Sequence, residues 1–181
     1  MEHTTQPQPT ARPHSWLREF AEALLPALLI VLVINAFVAQ ATRVDGLSMT
    51  PNLQDSERLI IEKISYRLHA PERGDIVVLD PPSHTGIPLI KRVVGLPGEV
   101  IAIQQGHVLI DGEILSEPYL PEPTRGTYAP HLIPEAHVFV MGDNRSASND
   151  SRAFGPVAYE HIVGKAWFRY WPITAIGLVT H

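Results

Sequence analysis

The chain begins with a polar stretch that is followed by one long apolar run. Residues 23–42 contain no charged side chain, and Glu22 and Arg43 bracket them. A helix of that length, at about 1.5 Å rise per residue, spans the roughly 30 Å hydrocarbon core of a bilayer. The pattern predicts a transmembrane anchor over residues 21–42. The tail at 1–20 is rich in Pro, Gln and Thr, a composition typical of disorder.

A cleaved signal peptide is the alternative interpretation of the apolar run, because a small-residue A-x-A site occurs at Ala39–Ala41. The run is longer than the apolar region of most signal peptides, so a permanent anchor is favoured. Arg12 and Arg18 precede the run and Arg43 follows it. The positive-inside rule therefore places the N-terminus in the cytoplasm and everything after Arg43 outside.

Beyond the anchor, apolar residues fall in short β-branched runs that Gly, Pro, Asp or Asn separates, which is typical of strands joined by turns. Gln105–Gly106 lies between two such runs and is a hairpin signal. The proline-rich segment Glu113–Pro134 predicts a long loop or loosely built cap, inserted at about 98–135. We therefore expect a mainly β domain over residues 43–181. Its predicted strands are Arg58–Lys63, Asp75–Leu79, Leu89–Val94, Val100–Gln104, His107–Ile110, His137–Met141 and Ile162–Tyr170.

Composition excludes several classes of protein. The net charge of −5 argues against a basic nucleic-acid binder. The chain contains no cysteine, which excludes disulfides and thiolate metal sites. Metal sites built from histidine or carboxylate alone stay open, but no HExxH or similar spacing is present.

A lone serine, Ser48, follows the anchor closely in G-L-S-M-T-P-N-L. A serine nucleophile needs a base and donors for the oxyanion. The G-x-S-x-G elbow of α/β-hydrolases is absent, because Thr50 occupies its last position. A histidine base stays open in principle, but His69, His84, His107 and His131 lie in polar, turn-like surroundings that favour surface positions.

Lysine is the alternative base, and the chain contains three: Lys63, Lys91 and Lys165. In a strand, Lys91 shares a face with Leu89 and Val93, so its side chain points the same way as two aliphatic side chains, and an apolar setting is what a lysine base requires. Burial of this kind lowers a lysine pKa by several units and leaves a free amine. A surface lysine on an edge strand is the simpler interpretation of Lys91 taken alone. Lys63, beside Glu62, is expected to be solvent-exposed, and Lys165 to lie at an interface.

A polar stretch, M-G-D-N-R-S-A-S-N-D-S-R at Met141–Arg152, directly follows an apolar strand candidate. A surface loop would account for its Gly, Asn and Ser residues. Two Asp and two Arg within it indicate instead an ion-paired corner. Such a corner could hold a neutral lysine in place through a serine hydroxyl.

Together and in this order, these features resemble the bacterial type I signal peptidases, the Ser/Lys proteases of family S26. The resemblance covers nearly all of the chain after the tail. It is carried by the anchor and by four motifs: S-M-x-P-x-L at Ser48–Leu53, R-G-D-I-V-V at Arg73–Val78, K-R-V-V-G-L-P-G-E at Lys91–Glu99 and G-D-N-R-S-A-S-N-D-S-R at Gly142–Arg152. It implies that Ser48 is the nucleophile and Lys91 the general base.

The same resemblance implies roles for the polar corner. Ser148 matches the serine that hydrogen-bonds the lysine amine, and Asp150 supports this corner through Arg152. Arg145 and Arg152 are expected to hold the loop rather than to react.

It also implies roles around the nucleophile. Arg92 and Asp143 match a salt-bridged pair, and Met49 is expected to pack beneath the nucleophile and shape the pocket. Some family members carry a serine where this chain has Gly46, so the oxyanion is left to backbone donors such as the Ser48 N–H. Asn52 replaces the usual threonine of P-T-L, and we expect its side chain to make local turn hydrogen bonds.

The function implied is that of a membrane-bound serine endopeptidase, which removes signal peptides from exported pre-proteins after Ala at −1 and −3. The implied partners are those signal peptides, the lipid bilayer and the vicinity of the translocon, with no nucleic acid and no cofactor. The implied location is the bacterial plasma membrane. Two alternatives remain: a specialised Ser/Lys peptidase of conjugation or pilin systems, and a catalytically silent membrane-tethered β scaffold.

Overall fold

The structure is a computed structural model that describes residues 16–81 and 86–179. Residues 1–15 of the tail predicted at 1–20, which include Arg12, lie outside the described residues, as does His84. The helices within it are α1 (Trp16–Phe37), α2 (Ser65–Leu68) and α3 (Ser151–Phe154). The strands are β1 (Ala39–Arg43), β2 (Arg58–Glu62), β3 (Ile76–Leu79), β4 (Leu89–Gly95), β5 (Val100–Gln104), β6 (His107–Ile110), β7 (Glu113–Ile114), β8 (Tyr128–Leu132), β9 (His137–Met141), β10 (Val157–Ala158), β11 (Ile162–Trp171) and β12 (Gly177–Leu178).

The mainly β architecture predicted from the sequence is confirmed, and each predicted strand is present within one residue at either end. The Gln105–Gly106 hairpin is also confirmed, because Gln104 pairs with His107 across the turn. Gln105 and Gly106 both have positive φ, 49° and 85°, as the tight turns that join twisted antiparallel strands require.

The N-terminal helix has different bounds from those predicted. It starts at Trp16 and ends at Phe37, and residues 39–43 form β1, which pairs antiparallel with β2 from Ala39↔Glu62 to Arg43↔Arg58. The apolar run therefore begins as a helix and ends as a strand. Its last residues form a strand because the edge of β2 provides their backbone hydrogen-bond partners. In the described part of the chain, α1 is the one helix long and apolar enough to cross a membrane.

The main sheet is antiparallel, with strand order β1-β2-β11-β3-β4-β9-β10, and β12 pairs with β11. A second antiparallel sheet, β7-β6-β5-β8, is inserted between β4 and β9. Its strands β7 and β8 lie inside the proline-rich segment that was expected to be a loop or loose cap. Both edge strands, β7 and β8, are mostly exposed, which explains why their sequences carry little hydrophobic signal.

The core has a part that links the two sheets and a part that supports the β1–β2 connection. Val94, Ile101, Ile133 and Phe139 belong to the first part, so the inserted sheet packs onto the ends of β4 and β9. The second part contains Met49 and Leu53 of the β1–β2 connection together with side chains of β2, β3 and β11. This packing holds the connection, residues 44–57, against the main sheet.

Candidate active site

Ser48 lies in the connection between β1 and β2, on a turn that its neighbours hold in place. Met49 and Leu53 are buried, and the Leu53 N–H donates to the Met49 carbonyl at 2.9 Å. Gly46 has a φ of 85° and its N–H donates to Asp55 Oδ1 at 2.8 Å. Met49 is buried in the core, whereas Ser48 is only partly buried and contributes to the lining of a cavity.

Lys91 brings its amine to this serine from the middle of the sheet. It lies in β4, opposite Val77 of β3, and is 2 % exposed. Its Nζ donates to Ser48 Oγ at 2.9 Å and to the Ile90 carbonyl at 2.8 Å. The serine hydroxyl and the lysine amine therefore stand at the distance that a direct proton transfer requires.

Burial lowers the pKa of Lys91 from 10.5 to about 8, against the opposing charges of Asp150 and Asp143. Loss of solvent disfavours the ammonium form, whereas the two carboxylates favour it. The net result is that a substantial fraction of the amine is neutral at mildly alkaline pH. A neutral amine is what a general base at this position needs.

The polar loop at Gly142–Arg152 contacts the back of the serine turn. The Asn144 N–H donates to the Ser48 carbonyl at 3.0 Å, and Asn144 Nδ2 donates to Thr50 Oγ1 at 3.1 Å. A Cβ atom on Gly142 would lie 2.5 Å from both Ser48 O and Ser148 Cβ. Only glycine allows this approach, so the sequence at position 142 decides how closely the loop and the turn pack.

Ser148 does not hold the lysine amine in this structure. Its Oγ is buried without a hydrogen-bond partner among the described residues, although it lies close to the Asp150 carboxylate. The Lys91 amine is instead directed at Ser48 Oγ and the Ile90 carbonyl. The predicted Ser148–Lys91 hydrogen bond is therefore absent, because the Ile90 carbonyl takes the place of the second acceptor.

Asp150 fixes the loop from its far end. It caps α3 and makes a two-pronged pair with Arg152, with both N–O distances at 2.8 Å. Its Oδ2 also accepts the Gly142 N–H at 3.0 Å. Burial raises the pKa of Asp150, but the hydrogen bonds from Arg152 and Gly142 lower it further, so the net shift is downward. The carboxylate therefore stays charged and holds the two ends of the loop together through Gly142 and Arg152.

Arg92 and Asp143, placed as a pair by the sequence resemblance, form a buried two-pronged ion pair with N–O distances of 2.8 and 2.7 Å. Asn52 joins them, because its Nδ2 donates to Asp143 Oδ2 at 2.8 Å and to the Tyr119 carbonyl at 3.1 Å. Asn52 was expected to make hydrogen bonds within its own turn. It links the serine turn to the polar loop and the inserted segment instead.

Arg145 ties the inserted segment to the polar loop. Its Nε donates to the Gly142 carbonyl at 3.1 Å, and its Nη1 donates to Glu117 Oε2 at 3.0 Å and also to Thr124 Oγ1. The Tyr119 hydroxyl donates to Glu117 Oε1 at 2.7 Å. Sequence reasoning missed Glu117, Tyr119 and Thr124, since a carboxylate in a proline-rich segment carries no mark of its distant arginine partner.

Other titratable residues proposed from the sequence lie elsewhere. Lys165 forms an ion pair with the buried Asp75 at 2.7 Å, so it is not the interfacial residue that was expected. Lys63 was expected to be solvent-exposed but is half-buried, because its Nζ donates to the Asn35 carbonyl of α1 at 3.0 Å. His69, His107 and His131 are exposed. Among the described residues, Lys91 is thus the base candidate that contacts Ser48.

A cavity of about 140 Å³ lies in front of the Ser48–Lys91 pair. Residues 42–45, at the end of β1, line one wall, and residues 87–91, at the start of β4, line the other. Ser48 and Met49 contribute to the lining between these walls. The cavity is small and partly apolar, so it fits a short side chain better than a bulky one.

Comparison with known proteins places these features in a family. The family model described as "Signal peptidase, peptidase S26" matches residues 17–171. The chain is 41 % identical to a probable signal peptidase I-2 of Synechocystis sp., over 92 % of this chain and 78 % of that protein. It is 34 % identical to a signal peptidase I of Bacillus licheniformis, over 88 % and 91 %. A crystal structure of a signal peptidase I from Enterococcus faecalis overlaps 54 % of this chain and 97 % of that chain, with 32 % identity and a TM-score of 0.48.

Proposed function

The chain belongs to the signal peptidase family, peptidase S26, and on that premise we propose that it cuts signal peptides from exported pre-proteins with Ser48 as nucleophile and Lys91 as general base. The observation that supports these roles is the 2.9 Å contact between Lys91 Nζ and Ser48 Oγ within a buried site. The lowered pKa of Lys91 supports the same roles, because a charged ammonium has no free electron pair.

The substrate binds as an added strand between the walls of the cavity. β1 is an edge strand that pairs with β2 alone among the described strands. β9 pairs with β4 only from Arg92 onward, so residues 89–91 have no strand partner on that side among the described residues, although the Ile90 carbonyl accepts from Lys91 Nζ. An extended peptide that enters here can take up main-chain hydrogen bonds from both walls. The small cavity beside Met49 receives the alanine at −1.

The reaction is acyl transfer to the serine and then to water. Lys91 takes the Ser48 proton as the serine oxygen attacks the scissile carbonyl, and then gives that proton to the leaving amine. In the described part of the chain, the Ser48 N–H has no acceptor and so can donate to the oxyanion. The Gly46 N–H is already bonded to Asp55, so it does not serve this purpose. Lys91 next activates the water that hydrolyses the acyl-enzyme.

The helix α1 anchors the enzyme in the plasma membrane, with the N-terminus in the cytoplasm and the β domain outside. Its side chains are exposed along the apolar stretch, and lipid would cover them. Ala39–Ala41 lies within β1, which forms a wall of the cavity. A cut after Ala41 would divide that strand, which favours a permanent anchor. Anchoring near the translocon raises the effective concentration of emerging pre-proteins.

The test is to incubate the purified protein in detergent with a pre-protein that carries Ala at −3 and −1. We expect one cut directly after the −1 alanine, read from the N-terminus of the mature product by mass spectrometry. Replacing the −1 alanine with a bulky residue is expected to abolish the cut. A purified, folded protein that leaves the pre-protein intact would support the silent-scaffold alternative and contradict this proposal.

A further inference from the structure

The junction between α1 and the main sheet is one residue long. α1 ends at Phe37 and β1 begins at Ala39, so Val38 alone connects them. The Val38 N–H still donates to the Ile34 carbonyl at 2.8 Å, and its carbonyl accepts the Lys63 N–H at 2.9 Å. The helix thus passes into the sheet without a flexible linker. A helix held only at this point could still swing about it.

Lys63 holds the last turn of α1 from the side. The final four carbonyls of a helix have no partner within it, and that of Asn35 is one of them. Lys63 Nζ donates to this carbonyl at 3.0 Å. A cation at a helix C-terminus also interacts favourably with the helix dipole. Near lipid, an unsatisfied carbonyl is costly, so this contact has more value there than on a surface in water.

Arg67 contacts the same turn at a second point. Its guanidinium carbon lies 5.2 Å from the centre of the Phe37 ring, within the range of a cation–π contact. Arg67 is in α2, whose first N–H groups are held by Glu62: Oε2 accepts from Ile64 at 3.1 Å and from Ser65 at 3.0 Å. The segment that presents Lys63 and Arg67 is therefore itself fixed to the end of β2.

These contacts bear on the distance between the membrane and the nucleophile. β1 starts where α1 ends and leads to the Ser48 turn, and its five residues rise by about 17 Å at about 3.4 Å each. If the angle between α1 and β1 is fixed, so is the height of Ser48 above the bilayer. A pre-protein is anchored by its own apolar segment, and so the peptide bond that reaches Ser48 depends on this height.

We propose that Lys63 and Arg67, here called the helix clasp, are positioning residues that fix α1 against the main sheet and so select which bond of a membrane-inserted pre-protein is cut. The proposal rests on the function proposed above. It assigns no chemical step to either residue, because both contact the end of α1 and neither lines the cavity beside Ser48. Its effect is confined to substrates held in the same membrane as the enzyme.

The experiment uses the full chain in liposomes with a series of pre-proteins. The series differs in the number of residues between the apolar segment of the signal and the Ala-x-Ala site. We expect wild type to have one preferred spacing and to cut pre-proteins two residues longer or shorter about tenfold more slowly, as misplaced groups react poorly. In the double variant that carries Lys63→Met and Arg67→Met, the difference in rate between the preferred and the other spacings is expected to fall from about tenfold to below about threefold.

Controls separate positioning from folding and from the proposed function. Lys63→Arg keeps a donor at the Asn35 carbonyl and should keep the wild-type spacing preference. Arg58→Met removes an exposed cation from the far end of β2 and should also keep that preference. A short peptide without an apolar segment should be cut equally by wild type and by the double variant. The same spacing preference in wild type and double variant would overturn the proposal. It would also be overturned if the double variant lost cleavage of the short peptide to the same extent as cleavage of the pre-proteins. Failure of wild type to cut the peptide would instead overturn the proposed function.

Discussion

Lys91 lies in the middle of β4 with its amine 2.9 Å from Ser48 Oγ and almost no access to solvent. Burial disfavours the charged form of the amine. A fall in its pKa from 10.5 to about 8 means that holding the protonated amine in the folded protein costs roughly 3 kcal/mol at neutral pH. The arginine next to it in the strand, Arg92, is buried in the same way but is paired with Asp143. One strand therefore holds an ion-paired arginine beside a lysine whose amine contacts the serine hydroxyl.

The activity should depend on the protonation state of Lys91. Because the protonated amine cannot act as a base, kcat/KM should rise with pH and level off above an apparent pKa of about 8. Initial rates from pH 6 to 10 on a peptide without titrating groups would measure this profile. A rate that is flat or falls between pH 6.5 and 8.5 would contradict the assignment of Lys91 as the base.

For single residues, the sequence led to a proposal where several motifs occur together and in order. Ser48 and Lys91 could be proposed as a pair because those motifs resemble the signal peptidases, whereas the pattern around Lys91 alone favoured a surface lysine. The contacts of Asn52 and Glu117 could not, because each reaches a partner far away in sequence: Asn52 reaches Asp143, and Glu117 reaches Arg145. No local pattern specifies which distant arginine a carboxylate will meet.

The serine turn, the polar loop and the inserted segment are the elements that build the site. The turn supplies Ser48, and the loop packs against the carbonyl of that residue through Asn144 and Gly142. The inserted segment is held to the loop by Glu117 and Arg145. The geometry at Ser48 thus depends on contacts between elements rather than on the turn alone.

Gly142→Ala should strongly reduce activity. The added methyl group would lie 2.5 Å from Ser48 O and so would push the turn away from the loop. A shift of about 1 Å at the nucleophile can cost roughly 100-fold in rate. Gly177→Ala is the matched control, because a Cβ there meets nothing within 4 Å. Peptide cleavage by both purified variants measures the effect, and equal rates would show that the close approach is unimportant.

Glu117→Gln should lower stability. The change leaves the buried Arg145 guanidinium without its charged partner, and breaking such a pair typically costs about 3–5 kcal/mol. Glu122→Gln is the control, since Glu122 makes an exposed ion pair with Arg125 that contributes little. Urea unfolding of the two variants gives the free energies to compare. A similar small change in both would mean that the Glu117–Arg145 pair does not hold the inserted segment.

The strands were predictable where both faces are buried and the run is short and rich in aliphatic residues, as in β3 and β9. Among the strands that the sequence did not predict, β1 and β8 show the physical reasons most clearly. β1 continues an uncharged run whose composition suits a helix, and its strand form depends on pairing with β2. β8 is exposed for most of its length and contains Pro130, so its sequence resembles that of a loop.

Over the whole molecule, an exposed apolar helix is joined to a β domain that has its own core. Among the described residues, the core side chains come from the β1–β2 connection onward, and α1 contributes none of them. The domain and the helix therefore have separate tasks: the domain holds the site, and the helix holds the domain near its substrates.

Removal of residues 1–37 should separate these tasks. The fragment from Val38 keeps β1 and the entire core, so it should fold and cut a short soluble peptide at close to the wild-type rate. Cleavage of a pre-protein in liposomes should fall by about 100-fold or more, because the effective concentration is lost. Circular dichroism and parallel cleavage assays measure both properties. Equal loss on the two substrates would contradict this division.

The most direct test of the account is the kcat/KM of Lys91→Arg on a pre-protein in detergent, compared with wild type and with Lys165→Arg. Arginine keeps a positive charge but does not give up its proton near neutral pH, so it cannot act as a base. We expect Lys91→Arg to lose about 10²–10⁴ in rate, which is the usual contribution of a general base. Lys165→Arg keeps its ion pair with Asp75 and should stay near wild type. Wild-type activity in a folded Lys91→Arg variant would contradict the central claim that Lys91 activates Ser48.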